Sequence, residues 1–252
     1  MLETRKLSVS IAGNEVCRAL DLAVREGSVW AILGRNGVGK TTLLKSLAGL
    51  HPPGQGDVLL GGRRLSAWSH RERARRIGVL FQNRTDAFPG TVLETALTGR
   101  HPWTDRWSWE SEEDIARTRA ALTEVDLGGM EMRAVATLSG GENQRLGLAT
   151  VLAQSPALYL LDEPNNHLDL RHQIAIMKLI RCRAKEPGHA AIMVLHDINL
   201  AARFCDHALL LHGDGASEHG TVDEVLTAES LSRLYQHPIR MIPGAGRYFL
   251  PA

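Results

Sequence analysis

Gly34-Arg35-Asn36-Gly37-Val38-Gly39-Lys40-Thr41 decides how this chain folds, because it fits the pattern G-x-x-x-x-G-K-[ST] in the context that the pattern requires. Val29-Trp30-Ala31-Ile32-Leu33 run into it as a buried strand would, and Thr42-Leu43-Leu44-Lys45-Ser46-Leu47-Ala48 leave it with helical character. A strand, a glycine turn and a helix together make a phosphate cradle. The glycines let successive backbone N–H groups converge, and the helix N-terminus adds partial positive charge. Lys40 is then placed to reach outer phosphates, and the Thr41 hydroxyl to ligate Mg²⁺. The loop predicts that residues Gly34 to Thr42 bind a nucleoside triphosphate.

A second glycine pair stands at Leu138-Ser139-Gly140-Gly141-Glu142-Asn143-Gln144. Ser139 followed three residues later by Glu142 is a capping-box pattern that opens a helix. Gly140 and Gly141 remove side chains where a phosphate must approach bare N–H groups. Ahead of a helix and downstream of the first loop, the stretch resembles the signature sequence of the ATP-binding-cassette (ABC) ATPases.

Other stretches fit the same family in chain order. Ala157-Leu158-Tyr159-Leu160-Leu161-Asp162 resembles the family's strand that delivers an aspartate to Mg²⁺, and the adjoining Glu163 stands where its catalytic carboxylate polarises the attacking water. Asn165-Asn166-His167-Leu168-Asp169 resembles the D-loop, whose Asp169 couples one subunit's site to the other's; Asn165 replaces the usual Ser or Thr. Ala191-Ile192-Met193-Val194-Leu195 leads to His196, the position of the switch histidine that senses the γ-phosphate. Gln82, after Ile77-Gly78-Val79-Leu80-Phe81, matches the glutamine that touches Mg²⁺ and water.

The resemblance implies an α/β fold: a P-loop NTPase cassette with a RecA-like parallel-sheet core, an N-terminal antiparallel β subdomain, and a helical subdomain inserted over about residues 89–153. Residues 1–252 then form one ABC domain. It implies ATP hydrolysis with Mg²⁺ and a homodimer in which Ser139, Gly140 and Gly141 of one subunit face the phosphate loop of the other. The dimer would sit on a two-copy transmembrane permease at the cytoplasmic face of the inner membrane, served indirectly by a periplasmic or extracellular substrate-binding protein. Ser66-Ala67-Trp68-Ser69 after Arg64-Leu65, Leu97 to Pro102, and Val222 to Tyr235 resemble importer subunits for metal chelates: heme, ferric siderophores or cobalamin. An exporter ATPase subunit shares every catalytic motif. A DNA-repair member would carry a long coiled coil here, and a ribosome-acting member usually two cassettes.

One expected part is missing. The family stacks adenine on an early aromatic residue, but Ile11 stands where Tyr is usual, and no aromatic residue or histidine precedes Trp30. Adenine is expected to rest on aliphatic surface.

Composition agrees with one ATPase domain. Hydrophobic residues make up 44% of the 252, enough for a sizeable core. The formal charge of +1 argues against a nucleic-acid partner, and the run Arg71 to Arg76 reads as a solvated helix face. Cys17, Cys182 and Cys205 are too dispersed for a metal site or disulfide frame. Met1 to Lys6 has no signal-peptide core, and no apolar run approaches the roughly 18 to 20 residues needed to span a bilayer. Ser111-Glu112-Glu113-Asp114 opens a helical run with apolar Ile115, Leu122 and Val125. Trp103, Trp107 and Trp109, with Trp68, form either a docking surface or a cluster that closes the helical lobe on itself.

Overall fold

The computed structural model describes residues 1–81, 90–104, 109–242 and 247–252. The chain opens with β1 (Leu2–Ile11), β2 (Asn14–Leu20) and β3 (Ala23–Val24), then β4 (Val29–Gly34) enters the glycine loop and α1 (Lys40–Leu47) leaves it. There follow β5 (Gln55–Leu60), β6 (Arg63–Arg64), α2 (His70–Ala74) and β7 (Ile77–Leu80). A helical stretch holds α3 (Val92–Leu97), α4 (Glu112–Glu124) and α5 (Gly140–Gln154). Then β8 (Leu158–Asp162), α6 (Leu170–Lys185), β9 (Ala190–Val194), α7 (Ile198–Phe204) and β10 (His207–Leu211) alternate. Last come β11 (Ser217–Thr221), α8 (Val222–Val225), α9 (Ala228–Tyr235), β12 (Ile239–Ile242) and β13 (Tyr248–Pro251).

The principal sheet has the order β11-β10-β4-β9-β8-β7 among the described residues. Its strands run parallel except β11, which closes the edge antiparallel to β10. Both faces are covered, which is why these strands read as unbroken apolar runs. Along β4, Val29, Ala31 and Leu33 enter one core with residues of α5, α6 and α7, while Trp30 and Ile32 enter the other with Leu43, Leu44 and Leu47 of α1. A period of two serves two cores at once. The second core is roofed by an antiparallel sheet, β2-β1-β5-β6 with β3 also on β1. The parallel sheet and antiparallel subdomain expected from the sequence are both present.

Helices α3, α4 and α5 pack together. Each starts with a reciprocal capping box: Thr91 with Glu94, Ser111 with Asp114, and Ser139 with Glu142. The buried side of α4 differs from its apolar reading. Asp114 and Thr118 are buried with Leu122, whereas Ile115 is half-buried. The reason is Arg100, whose Nε donates to Asp114 Oδ1 at 2.7 Å and whose Nη1 donates to the Ala153 carbonyl at 2.9 Å. Burial pushes the Asp114 carboxyl up, but hydrogen bonds from Arg100 and Ser111 outweigh it and hold it below the ordinary carboxylate range.

The tryptophans divide. Trp103 is 40% exposed, yet it donates to the Gln154 carbonyl at 2.8 Å and lies against the Arg75 and Arg100 guanidinium groups, so the ring is tied to the lobe while one part of it stays open to solvent. Trp68 packs against the guanidinium groups of Arg63 and Arg76. Trp109 is 91% exposed, and Trp107 lies outside the described residues. The basic run is likewise more than a solvated face. Arg71 and Arg75 donate to the Pro102 carbonyl and Arg73 to that of Gly49, because guanidinium forks satisfy carbonyls that loops leave open.

Arg100→Met leaves the Asp114 carboxylate buried without its partner, which is expected to cost about 3 kcal/mol and to lower the melting temperature by roughly 6 to 12 °C. Because the native Asp114 pKa is depressed, this contribution is complete above the ordinary carboxylate pKa and is lost as pH falls through the native value. Thermal melts of wild type and variant should therefore converge in acid. A constant difference across pH places the cost elsewhere.

Candidate active site

Strands β4, β8 and β9 are neighbours and parallel, so their C-terminal ends meet at one edge. The glycine loop follows β4, Asp162 ends β8 with Glu163 next, and His196 follows β9 by two residues. A cavity of about 440 Å³ opens there, lined by loop residues Asn36, Gly37, Gly39, Lys40, Thr41 and Thr42 together with Ile11, Glu163 and His196. Ligands in open α/β sheets bind outside the carboxyl ends of the strands in this way.

The loop is shaped by its glycines. Gly39 has φ +96°, and a Cβ there would meet the Val16 side chain at 2.4 Å, so only glycine lets the start of α1 lie against β2. Lys40 is buried, and its Nζ donates to the carbonyls of Gly34 at 2.9 Å and Arg35 at 3.0 Å. Burial lowers its pKa, while Glu163 and Asp162 act in the opposite direction. Gly34, Arg35 and Val38 do not line the cavity. Val38 and Gly34 pack toward β10 and the turn after it, and Arg35 reaches Gln236.

Two carboxylates stand side by side. The Asp162 oxygens are buried and have no hydrogen-bond partner of good geometry among the described residues, although the Thr41 hydroxyl is close enough to favour the charged form. Burial raises the Asp162 pKa, with Glu163 adding to the rise and Thr41, Lys40 and His196 opposing it. Glu163 sits in the left-handed region, φ +51°, an uncommon conformation for a residue with a side chain. Its Oε1 lies 2.5 Å from His196 Nε2, its Oε2 accepts from the Asn166 amide, and its carbonyl accepts from Gln144 Nε2 at 3.0 Å. Asn166 and Gln144 are the site residues that sequence reading missed. Both occur in quoted motifs, but only the turn after β8 shows what they hold.

Ser139, Gly140, Gly141 and Asp169 are not at this cavity. Ser139 caps α5, and its Oγ accepts from the Glu142 N–H at 3.2 Å. A Cβ on Gly141 would lie 3.0 Å from the His167 carbonyl, so any other residue would press α5 a few tenths of an ångström off the 165–169 turn. Asp169 caps α6, accepting from the His172 N–H at 2.8 Å. Gln82 lies outside the described residues.

The ABC transporter family matches residues 17–166. A hemin import ATP-binding protein of Streptomyces coelicolor is 41% identical over 94% of this chain and 84% of its own. The ferric enterobactin transport ATP-binding protein of Escherichia coli K12 is 37% identical over 93% of this chain and 86% of its own. A solved chain from a transporter described as of the metal-chelate type, in an inward-facing conformation, superposes with a TM-score of 0.86 at 26% identity, covering 100% of this chain and 97% of its own. These similarities extend across the strands, the glycine loop and the paired carboxylates just described, and with them the chain belongs to the ABC transporter family as an ATP-binding subunit.

Proposed function

We propose that this chain hydrolyses ATP to drive import of a metal chelate, with hemin the first candidate cargo. The observation that carries the mechanism is the position of Glu163: its carboxylate borders the loop cavity while His196 and Asn166 fix both oxygens. Glu163 is then the general base. It takes a proton from water as the water oxygen bonds to the terminal phosphorus and the bond to the bridging oxygen breaks, releasing ADP and phosphate. Lys40 exchanges its two carbonyl partners for phosphate oxygens, and the N–H groups of the loop and of α1 complete the cradle. His196 holds the base and responds to the terminal phosphate.

Thr41 and Asp162 suit Mg²⁺. A hydroxyl and a buried carboxylate are hard oxygen donors, and the carboxylate's unsatisfied oxygens fit a cation. Magnesium bound there neutralises charge on the outer phosphates. Gln82 belongs to the same set by its motif.

Ser139, Gly140, Gly141 and Asp169 lie away from their own chain's cavity, which supports a homodimer in which each subunit presents them to the other's nucleotide. The cassette is one domain over residues 1–252, with residues near 89–153 as its helical subdomain. No helix among the described residues is long and apolar enough to cross a membrane. We place the dimer peripherally, at the cytoplasmic face of the inner membrane, on a two-copy permease supplied by a substrate-binding protein outside it. Hemin and ferric siderophore relatives have similar identities, so the substrate class is metal chelates. Copurification of a tagged chain with a permease, and hemin-stimulated ATP turnover in the assembled complex, test this reading; a complex that responds only to a siderophore or cobalamin changes the cargo.

Glu163→Gln should bind ATP but hydrolyse it at least about a hundredfold more slowly, the lower range for a general base, and should accumulate as an ATP-bound dimer on size exclusion. Near-normal turnover assigns the proton transfer to another group.

Ile11 lines the cavity and is 44% exposed, offering the base an aliphatic surface. GTP should therefore compete with ATP to within about tenfold, a gap of roughly 1.4 kcal/mol. Ile11→Tyr should tighten ATP by about 1 to 3 kcal/mol through stacking. Competition titrations on both proteins decide this, and strong native ATP preference with no gain from Tyr sinks it.

A further inference from the structure

Arg35 belongs to the glycine loop in sequence, yet its side chain turns away from the cavity. Its Nη1 donates to Gln236 Oε1 at 2.6 Å, and its Nε is buried with no hydrogen-bond partner among the described residues. Gly213, at φ +93°, brings the turn after β10 close: a Cβ there would lie 3.1 Å from Val38 Cγ1 and 3.8 Å from Arg35 Nη2. At the other end of the same residue, the Arg35 carbonyl accepts from Lys40 Nζ. Gln236 thus reaches the phosphate-binding lysine through one intervening residue.

Gln236 stands on a firm base. It caps the C-terminus of α9 in the left-handed conformation, φ +53°, with its N–H bonded to the Ser232 carbonyl. Leu231 and Leu234 anchor that helix in the core, and Ser230 and Arg233 both bind Glu218 on β11. The hairpin that follows is tied to α7, the helix after His196: Asn199 Nδ2 donates to the Phe249 carbonyl at 3.2 Å, and the Phe249 N–H donates to Asn199 Oδ1 at 2.8 Å. The C-terminal unit of α9, β12 and β13 therefore grips the loop on one side and the His196 segment on the other.

We propose that Gln236 is a positioning residue for the phosphate loop, holding Arg35 so that the loop is preorganised for nucleotide. The inference rests on the ATPase reading for its consequence but not for its test, because nucleotide titration needs no turnover. Gln236→Ala removes the acceptor while keeping a Cβ, so the left-handed backbone is no more strained than before. ATP affinity should fall about fivefold, the net scale of one ordinary hydrogen bond, and KM should rise with kcat within about twofold. Gln236→Glu, which gives Arg35 a carboxylate, should restore affinity. In an Arg35→Met background, Gln236→Ala should have no further effect on ATP affinity, which places the loss in the Arg35 contact, while a melting temperature unchanged in Gln236→Ala separates it from a purely structural role. Unchanged affinity in Gln236→Ala, failure of Glu to restore it, or additive losses in the double variant overturns the inference. Normal nucleotide binding by wild type without turnover would instead overturn the ATPase reading and leave this one standing on the titrations.

Discussion

A carboxylate buried at the end of a strand must be held by hydrogen bonds or neutralised, and Glu163 is where that constraint meets the order of the sheet. It lies between β8 and the 165–169 turn, with β9 next to β8 bringing His196 to one oxygen and the turn itself bringing Asn166 to the other. Gln144 then links the same residue's carbonyl to α5. The left-handed backbone at Glu163 makes these three contacts compatible, and they in turn keep the strained conformation in place. Strand order, a helix start and a tight turn converge on one residue.

The parts of the fold legible in the sequence were those written locally. Val29 to Leu33, Leu158 to Leu161 and Ala191 to Leu195 are continuous apolar runs because both faces of the sheet are covered, and the glycine loop carries its geometry in its own residues. The capping box at Ser139 and the helix start at Ser111 were equally local, since each cap's partner lies three residues away. What escaped was long-range. Asp114 looked like a helix-start acid, and its burial depends on Arg100 from another segment. The stacking position at Ile11 could be read as a departure, but its place at the cavity rim comes from β1 and β2 packing against α1.

The site was legible as a set of residues and illegible as a set of contacts. Lys40, Thr41, Thr42, Glu163 and His196 meet at one cavity as their motifs imply, whereas Arg35 leaves it for a residue 201 positions away. No spacing rule reaches that far. Trp103 is similar: aromatic density near His101 and Pro102 fitted either a docking surface or a cluster closing the lobe, and only the fold shows the ring, 40% exposed, tied to Gln154 and set against two arginines.

The fastening at the far end of α5 has a mechanical consequence. Arg100 binds the Ala153 carbonyl and Trp103 that of Gln154, so the segment before α4 grips one end of a helix whose other end is Ser139. A 15-residue helix is a stiff rod about 22 Å long. A displacement of the segment near Arg100 therefore carries α5 with it, and the far end of that rod is Gly140 and Gly141. The helical lobe has the build of a lever arm, with a side-chain fastening at one end and two helix-opening glycines at the other.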